Sequence, residues 1–148
     1  HLQDFSFARF ELIHGKNGWR VTNAVAEENL AVFSGEDIKE PLGVLSRVTA
    51  LLLRLFRGEE RDAILLEEVL SSFRILKNGA PSGQAIRDFE ALLVMRILHR
   101  LGYWGEDAVL SPFLNPFEIG MSETLASFAS VRARAIRRIN EALKETQL

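Results

Sequence analysis

The sequence predicts a mainly helical protein, in which a helical bundle follows a single β-hairpin. Three observations indicate this fold class. Residues 1–26 alternate between apolar and polar side chains around a Gly-Lys-Asn-Gly break at 15–18. From residue 27 onward the hydrophobic period changes from that of a strand to that of a helix. Glycine and proline then divide the helical pattern into segments of ordinary helix length.

The predicted hairpin joins its two strands through a tight turn at 15–18, where the glycines tolerate positive φ. On the second strand we expect one side to carry Trp19, Val21 and Val25. A lone hairpin is marginally stable in water, so it must pack on something else. The basic residues between its aromatics are Arg9, Lys16 and Arg20. The aromatics are therefore either core residues or part of a surface that stacks nucleic-acid bases.

Helices account for most of the remaining chain. The predicted long helices span 40–57, 62–77, 84–101 and 122–146, after a short helical turn at 28–33. Pro41 suits the first turn of the first long helix and Gly58 its end, while Asp62 is a suitable N-cap for the second. The first long helix has the widest apolar stripe, which predicts that it lies at the centre of the bundle.

The segment at 103–120 contains two glycines and two prolines, so we expect a compact connection with a short helix at 107–110. Trp104 is expected to be buried beneath it. Ser122 is the predicted N-cap of the last helix.

The composition excludes several classes of protein. Apolar residues make up 47% of the chain and charged residues 26%, which excludes collagen-like, low-complexity and wholly disordered proteins. Without cysteine there is no disulfide, thiolate metal site or cysteine nucleophile. A net charge of −2 argues against a uniformly basic coat for nucleic acid. The longest apolar stretch, at 48–56, contains Arg54 and is too short for a membrane span.

No set of residues has the spacing of an active site. His1, His14 and His99 lack a carboxylate or a second histidine at metal-ligand spacing. Adjacent glutamates on a helix point about 100° apart, so the vicinal pairs do not converge on a substrate. The sequence also contains no glycine-rich phosphate motif between a strand and a helix. We therefore expect no enzymatic activity, no metal and no cofactor.

Arginine is the most informative residue type. Fourteen of the 18 basic residues are arginine, which makes planar, bidentate contacts with phosphate or carboxylate. Helical periodicity counted from Leu125 places Arg132 in the apolar stripe, between Phe128 and Ile136. Arg132 either extends its charged end to solvent, or pairs with a helix acid such as Glu90, or stands at the rim of an apolar groove and receives an acidic ligand.

The other arginines of the last helix, Arg134, Arg137 and Arg138, are placed on the opposite face. They either form a solvated face or contact phosphate. Arg96 and Arg100 are four residues apart and share one face of the third helix. If the third and last helices pack together, the two sets form one basic patch.

Several segments, taken in their order along the chain, resemble those of a known protein family. The strand and turn at 2–18 lead into Trp19-Arg-Val-Thr-Asn-Ala24, and Glu27-Glu-Asn-Leu30 follows. Later come Phe89-Glu-Ala-Leu-Leu93 and Leu101-Gly-Tyr103, and the chain closes with a helical segment at 139–148. Together they resemble RecO, a family of bacterial recombination mediators, over nearly the whole sequence. The absence of cysteine corresponds to the zinc-less variety of that family.

The resemblance implies two domains and a piece of a longer protein. Residues 1–26 correspond to the C-terminal hairpin of an incomplete N-terminal OB-fold barrel, and residues 27–148 to the helical domain. It also implies a non-enzymatic role in DNA repair and recombination. Proteins of this family bind single- and double-stranded DNA, RecR and the acidic, phenylalanine-terminated tail of single-stranded DNA-binding protein (SSB). They assist recombinase loading and strand annealing in the bacterial cytoplasm, at the nucleoid. This role involves no cofactor and no binding to a membrane.

Periodicity supplies the candidate site residues for this role. The candidates for the acidic tail are Arg132, Arg96, Arg100, Phe128 and Ile136. The candidates for DNA are Arg134, Arg137, Arg138, Arg9, Lys16 and Arg20. The alternative hypothesis is a helical protein-interaction adaptor with no nucleic-acid role.

Overall fold

The computed structural model describes residues 3–35, 37–56, 62–115 and 121–146. The chain is mainly helical with an antiparallel hairpin at its start, which confirms the predicted fold class. The strands are β1 (Ser6–Gly15) and β2 (Gly18–Asn29). The helices are α1 (Lys39–Leu55), α2 (Ala63–Gly79), α3 (Gln84–Arg100), α4 (Met121–Phe128) and α5 (Arg132–Glu145), with a 3₁₀ turn at Ser111–Phe113.

The hairpin turn lies where the sequence predicts it. β1 and β2 pair from Ser6 opposite Asn29 to Gly15 opposite Gly18. Gly18 has a φ of 104°, a conformation that glycine adopts without steric cost. Two β-bulges shift the register, one after Phe7 and one after Glu11.

The bulges determine which side chains share a face, because cross-strand partners point to the same side of a sheet. One face is apolar and consists of the pairs Ala8–Ala26, Phe10–Ala24, Leu12–Val21 and His14–Trp19. The opposite face carries Arg9–Val25, Glu11–Asn23 and Ile13–Arg20. The prediction that Val25 shares a face with Trp19 and Val21 is therefore wrong. The extra residue at the second bulge, Thr22, inverts the alternation that follows it.

The apolar hairpin face, defined by those four pairs, lies in solvent. Trp19 is 63% exposed and Phe10 is 49% exposed, so the interpretation of these two aromatics as core residues is wrong. Phe5 and Phe7, at the base of the hairpin, do pack against the helical core.

The base of the hairpin is fixed to α2 by polar contacts. The carboxylate of Glu28 accepts a hydrogen bond from Arg74 Nε at 3.0 Å and another from Lys77 Nζ at 3.0 Å. The backbone N–H of Ser34 donates to the carbonyl of Lys77 at 2.8 Å. The predicted helical turn at 28–33 is wrong, because β2 continues to Asn29 and an irregular turn follows.

The starts of α1 and α2 follow their sequence signals. Pro41 lies in the first turn of α1, as predicted. The carboxylate of Asp62 accepts a hydrogen bond from the backbone N–H of Leu65 at 2.9 Å, which confirms Asp62 as the N-cap of α2. The predicted end of α1 at Gly58 lies outside the described residues.

The central helix is α3, which packs against α1, α2, α4 and α5. Its buried apolar side chains are Ile86, Phe89, Leu92, Leu93, Met95, Ile97 and Leu98. The prediction that α1 is central is wrong, because part of its wide apolar stripe faces solvent and Leu53 is 76% exposed. Two polar residues of α3, Asp88 and Arg96, are buried as well, so each needs a partner inside the fold.

The connection after α3 contains no α-helix among its described residues. Asp107 caps a turn, since its carboxylate accepts hydrogen bonds from the backbone N–H groups of Val109 and Leu110. The predicted helix at 107–110 is therefore wrong, and a short 3₁₀ turn follows instead. Trp104 is 8% exposed, which confirms its predicted burial.

The predicted last helix is two helices. α4 ends at Phe128 and α5 begins at Arg132, with a turn at 129–131 between them. α4 begins at Met121, so Ser122 lies inside the helix rather than at its N-cap. A periodicity counted from Leu125 therefore does not continue through the turn into α5.

Candidate functional site

Arg132, the first residue of α5, forms an ion pair within the fold. Its guanidinium donates two hydrogen bonds to the carboxylate of Asp88 on α3, each at 2.5 Å. Burial favours the protonated form of Asp88, but hydrogen bonds from Arg132 and Gln84 and the charge of Arg132 outweigh it, so the pKa of Asp88 is lowered. Arg132 therefore pairs with a helix acid, as predicted, but that acid is Asp88 rather than Glu90. Its guanidinium is already bonded and is not free to receive an acidic ligand.

Arg96 and Arg100 do not form an exposed patch with the arginines of α5, so this prediction is wrong. Arg96 is 4% exposed, and its Nε donates to the carbonyl of Phe113 at 2.9 Å. Burial lowers the pKa of Arg96 to about 10, against the opposing charge of Glu68. Arg100 donates to both carboxylate oxygens of Asp62, at 3.0 and 3.2 Å, and so fixes the end of α3 to the start of α2.

The two apolar candidates for the acidic tail have opposite environments. Phe128 is completely buried, with its ring centroid 5.5 Å from that of Phe113 in an edge-to-face contact. It is a core residue, and its assignment to a ligand site is wrong. Ile136 is 44% exposed, while Ala135 takes the buried position in the first turn of α5. Of Phe128 and Ile136, only Ile136 is accessible to a ligand.

Ile136 lines a groove between α1, α3 and α5, which we call the α1–α3–α5 groove. Its volume is about 280 Å³. Its apolar walls include Leu51, Val94, Ile136 and Leu143. Arg47, Arg87 and Glu90 line the same groove. On α3, Arg87 and Glu90 lie one turn before the apolar lining residues of the same helix. The groove therefore places guanidinium groups beside apolar walls.

Sequence reasoning missed Arg47 and Arg87, and it considered Glu90 only as a partner of Arg132. The residue pattern of α3 did contain a signal, because Arg87 and Glu90 are three residues apart and Ala91 and Val94 continue the same face. Finding the groove also required the contact between α3 and α5, which a helical period does not reveal.

A larger apolar groove, about 600 Å³ in volume, lies between α1 and α2. Leu53 and Leu66, which are 76% and 53% exposed, line it. Asp62 is the one ionisable side chain among its described lining residues, and its carboxylate is already bonded to Arg100. The described lining residues of this groove therefore offer no unoccupied charged group that would select a ligand.

The three arginines predicted for DNA on α5 lie among acidic side chains. Arg134 Nε donates to Asp107 at 2.8 Å, and this bond is the main cause of the lowered pKa of Asp107. Arg138 Nη1 lies 3.6 Å from Glu141, and its guanidinium carbon is 5.7 Å from the centre of the Trp104 ring. Arg137 is exposed and has no ion-pair partner in the described part of the chain. Arg134 and Arg137 are exposed, as a solvated face predicts, and Arg138 is half-buried; of the three, only Arg137 lacks an ion-pair partner among the described residues.

The basic residues of the hairpin are exposed, but the structure separates them from the aromatics. Arg9 and Arg20 lie on the face opposite Phe10 and Trp19, and Arg9 Nη2 is 2.7 Å from Glu27 Oε1. Lys16 lies in the turn. Phosphate contacts and base stacking on this hairpin would therefore use different faces.

Among the described residues, no three histidine or carboxylate side chains are grouped as a metal site requires. No helix in this part of the chain has both the length and the apolar character needed to cross a membrane. Comparison with protein-family models, curated proteins and solved structures finds no match to this chain. Its function is therefore inferred from its own residues and their arrangement.

Proposed function

We propose that this chain is a non-enzymatic accessory protein of bacterial DNA repair and homologous recombination, of the RecO mediator type. The order of the segments that resemble this family supports the proposal. A helical domain that follows a β-hairpin is also what the resemblance implies. Such a protein binds DNA, RecR and the SSB tail, and it assists recombinase loading and strand annealing in the cytoplasm, at the nucleoid.

The observation that carries this proposal is the α1–α3–α5 groove. An acidic tail that ends in phenylalanine needs an apolar pocket for the ring and guanidinium groups for its carboxylates. Val94 and Ile136 supply apolar walls, and Arg47 and Arg87 supply guanidinium groups. The groove volume, about 280 Å³, is just below the usual range for ligand pockets, so it suits one side chain rather than a whole peptide.

The apolar hairpin face supports the OB-fold part of the proposal. Phe10, Leu12, Trp19 and Val21 form a contiguous apolar surface in solvent, which is unusual for a stable two-stranded sheet. In a barrel such a face points inward and both strand edges are paired. We therefore propose that further strands cover this face in the working protein.

Binding of the SSB tail tests the groove. Fluorescence anisotropy would compare a labelled tail peptide with the same peptide lacking its final phenylalanine. Loss of the phenylalanine should abolish most of the binding, and Arg87→Ala should weaken it roughly tenfold, as expected for a lost charge-assisted contact. Arg54→Ala is the matched control, since this exposed arginine of α1 does not line the groove. Binding by neither peptide, or equal binding by both, would contradict the proposal.

DNA binding separates the mediator from the adaptor hypothesis. The adaptor gains support from the ion pairs of Arg100, Arg132 and Arg134, which leave fewer cations for phosphate. Each phosphate contact to a single strand contributes roughly 0.7 to the slope of log K against log salt. If Lys16, Arg20 and Arg137 supply three contacts, an oligothymidine should bind with a slope of about −2. The adaptor hypothesis predicts a slope near zero or no binding.

A further inference from the structure

An internal ion pair occupies part of the α1–α3–α5 groove. Arg47 on α1 donates from Nε to Glu90 Oε1 at 2.6 Å and from Nη2 to Glu90 Oε2 at 2.7 Å. Both residues line the groove, so this pair lies where we place the peptide carboxylates. The side chain of Arg47 is 61% exposed and that of Glu90 is 21% exposed. Most of the Arg47 side chain is in solvent, so a ligand carboxylate can reach its guanidinium and compete with Glu90 for it.

The two arginines of the groove are not equivalent. Arg87 is exposed and has no ion-pair partner within the described ranges. Arg47 has its planar fork filled by the carboxylate of Glu90, which is the same chemical group that an acidic peptide would present. The groove therefore holds two guanidinium groups but offers only one of them to a ligand.

The backbone of α1 leaves room for Arg47 in this position. A Cβ atom at Gly43, one turn earlier, would lie 3.0 Å from Arg47 Nη1. Glycine at this position thus leaves the space that the guanidinium occupies when it lies along α1 and reaches Glu90. The pair is therefore a contact within the fold that a ligand carboxylate would have to displace.

We propose that Glu90 determines the specificity of this groove by competing with the carboxylates of the ligand for Arg47. This inference depends on the proposed function, because it assumes an acidic ligand with a terminal aromatic residue. In the wild-type protein, one carboxylate of the ligand binds Arg87. A second carboxylate can bind Arg47 only by displacing Glu90, whose negative charge repels it. Glu90 therefore disfavours ligands recognised by charge alone and makes binding depend on the apolar anchor.

Glu90→Gln tests this competition, because glutamine is nearly isosteric and uncharged. The probe is a fluorescein-labelled acidic peptide that ends in phenylalanine, titrated by anisotropy at low and moderate salt. We expect Glu90→Gln to bind it three- to fivefold more tightly at low salt, the ratio that corresponds to the loss of one exposed pair. The gain should shrink as salt rises. Glu123→Gln, an exposed change on α4 outside the groove, makes the same change in net charge and should leave affinity unaltered.

The double variant Arg47→Ala with Glu90→Gln identifies the cause of the gain. If Glu90 acts by occupying Arg47, the double variant should lose the gain of Glu90→Gln. An equal gain with and without Arg47 would overturn the inference, since the effect would then be simple repulsion. Wild-type binding with no gain in Glu90→Gln would overturn the inference and leave the proposed function intact. No binding by either protein would overturn both.

Discussion

Phe128→Ala distinguishes a core residue from a ligand contact. Phe128 is fully buried and its ring meets Phe113 edge to face. A buried phenylalanine removes about 150 Å² of apolar surface from water, which at about 25 cal/mol/Å² corresponds to about 4 kcal/mol. The retained alanine methyl lowers this figure, and the lost aromatic contact and the new cavity raise it. We expect the free energy of unfolding to fall by about 4 kcal/mol, measured by urea denaturation.

The matched control for this prediction is Ile136→Ala on the following helix, α5. Ile136 is 44% exposed, so its truncation should lower the free energy of unfolding by about 1 kcal/mol or less. Its effect should appear in peptide binding instead, because Ile136 lines the α1–α3–α5 groove. A stable Phe128→Ala protein with impaired peptide binding would refute the assignment of Phe128 to the core.

Three further predictions follow from the ion pairs and the aromatic contacts. Asp88→Asn removes a charge that is 4% exposed and leaves its arginine partner without a counterion, so the free energy of unfolding should fall by about 2 kcal/mol in chemical denaturation. Hydrogen bonds from the Arg100 guanidinium and the Leu65 backbone N–H lower the pKa of Asp62. Its contribution to stability is therefore present above the pKa of an unfolded aspartate, about 4, and is lost as the pH falls below it. Asp62→Asn should therefore flatten the dependence of the urea midpoint on pH below about pH 5. In a Trp19→Phe background, Arg138→Met should change the fluorescence of Trp104, because the guanidinium lies over that ring; an unchanged spectrum would contradict the contact.

The hairpin turn and the starts of the first two long helices could be predicted because their signals are local. Gly18 provides the positive φ of the turn, Pro41 suits a first helical turn, and Asp62 caps a helix with its own side chain. Each signal acts within four residues, so no knowledge of the packing is needed.

The errors arose where the outcome depends on contacts between distant residues. α1 has a wide apolar stripe, yet α3 is the helix that contacts the other four helices. The turn before Arg132 changes the helical phase, so a period counted from Leu125 could not place the residues of α5. The bulge at Thr22 has the same effect on β2, where one extra residue inverts the alternation.

Arginine shows most clearly what composition can and cannot indicate. An excess of arginine over lysine suggests bidentate contacts, and such contacts are present, but many of them are internal. The carboxylates of Glu28, Asp62, Asp88 and Asp107 each accept a hydrogen bond from an arginine of another element. These contacts fix the hairpin to α2, α2 to α3, α3 to α5, and the connection to α5. Much of the arginine content is thus explained by the fold itself.

Recognition is consequently left to the arginines that the fold does not use. Arg87 lies beside apolar walls, so it can combine a charge contact with burial of a ring. Arg137 is surrounded by as many acids as arginines, because Glu106, Asp107 and Glu141 line the same pocket as Arg134, Arg137 and Arg138. A phosphate approaching Arg137 meets little net positive charge. In the groove, a carboxylate can reach Arg87 directly, and Glu90 competes with it only for Arg47. The lining charges are therefore more favourable for an acidic peptide in the groove than for a nucleic-acid backbone on α5.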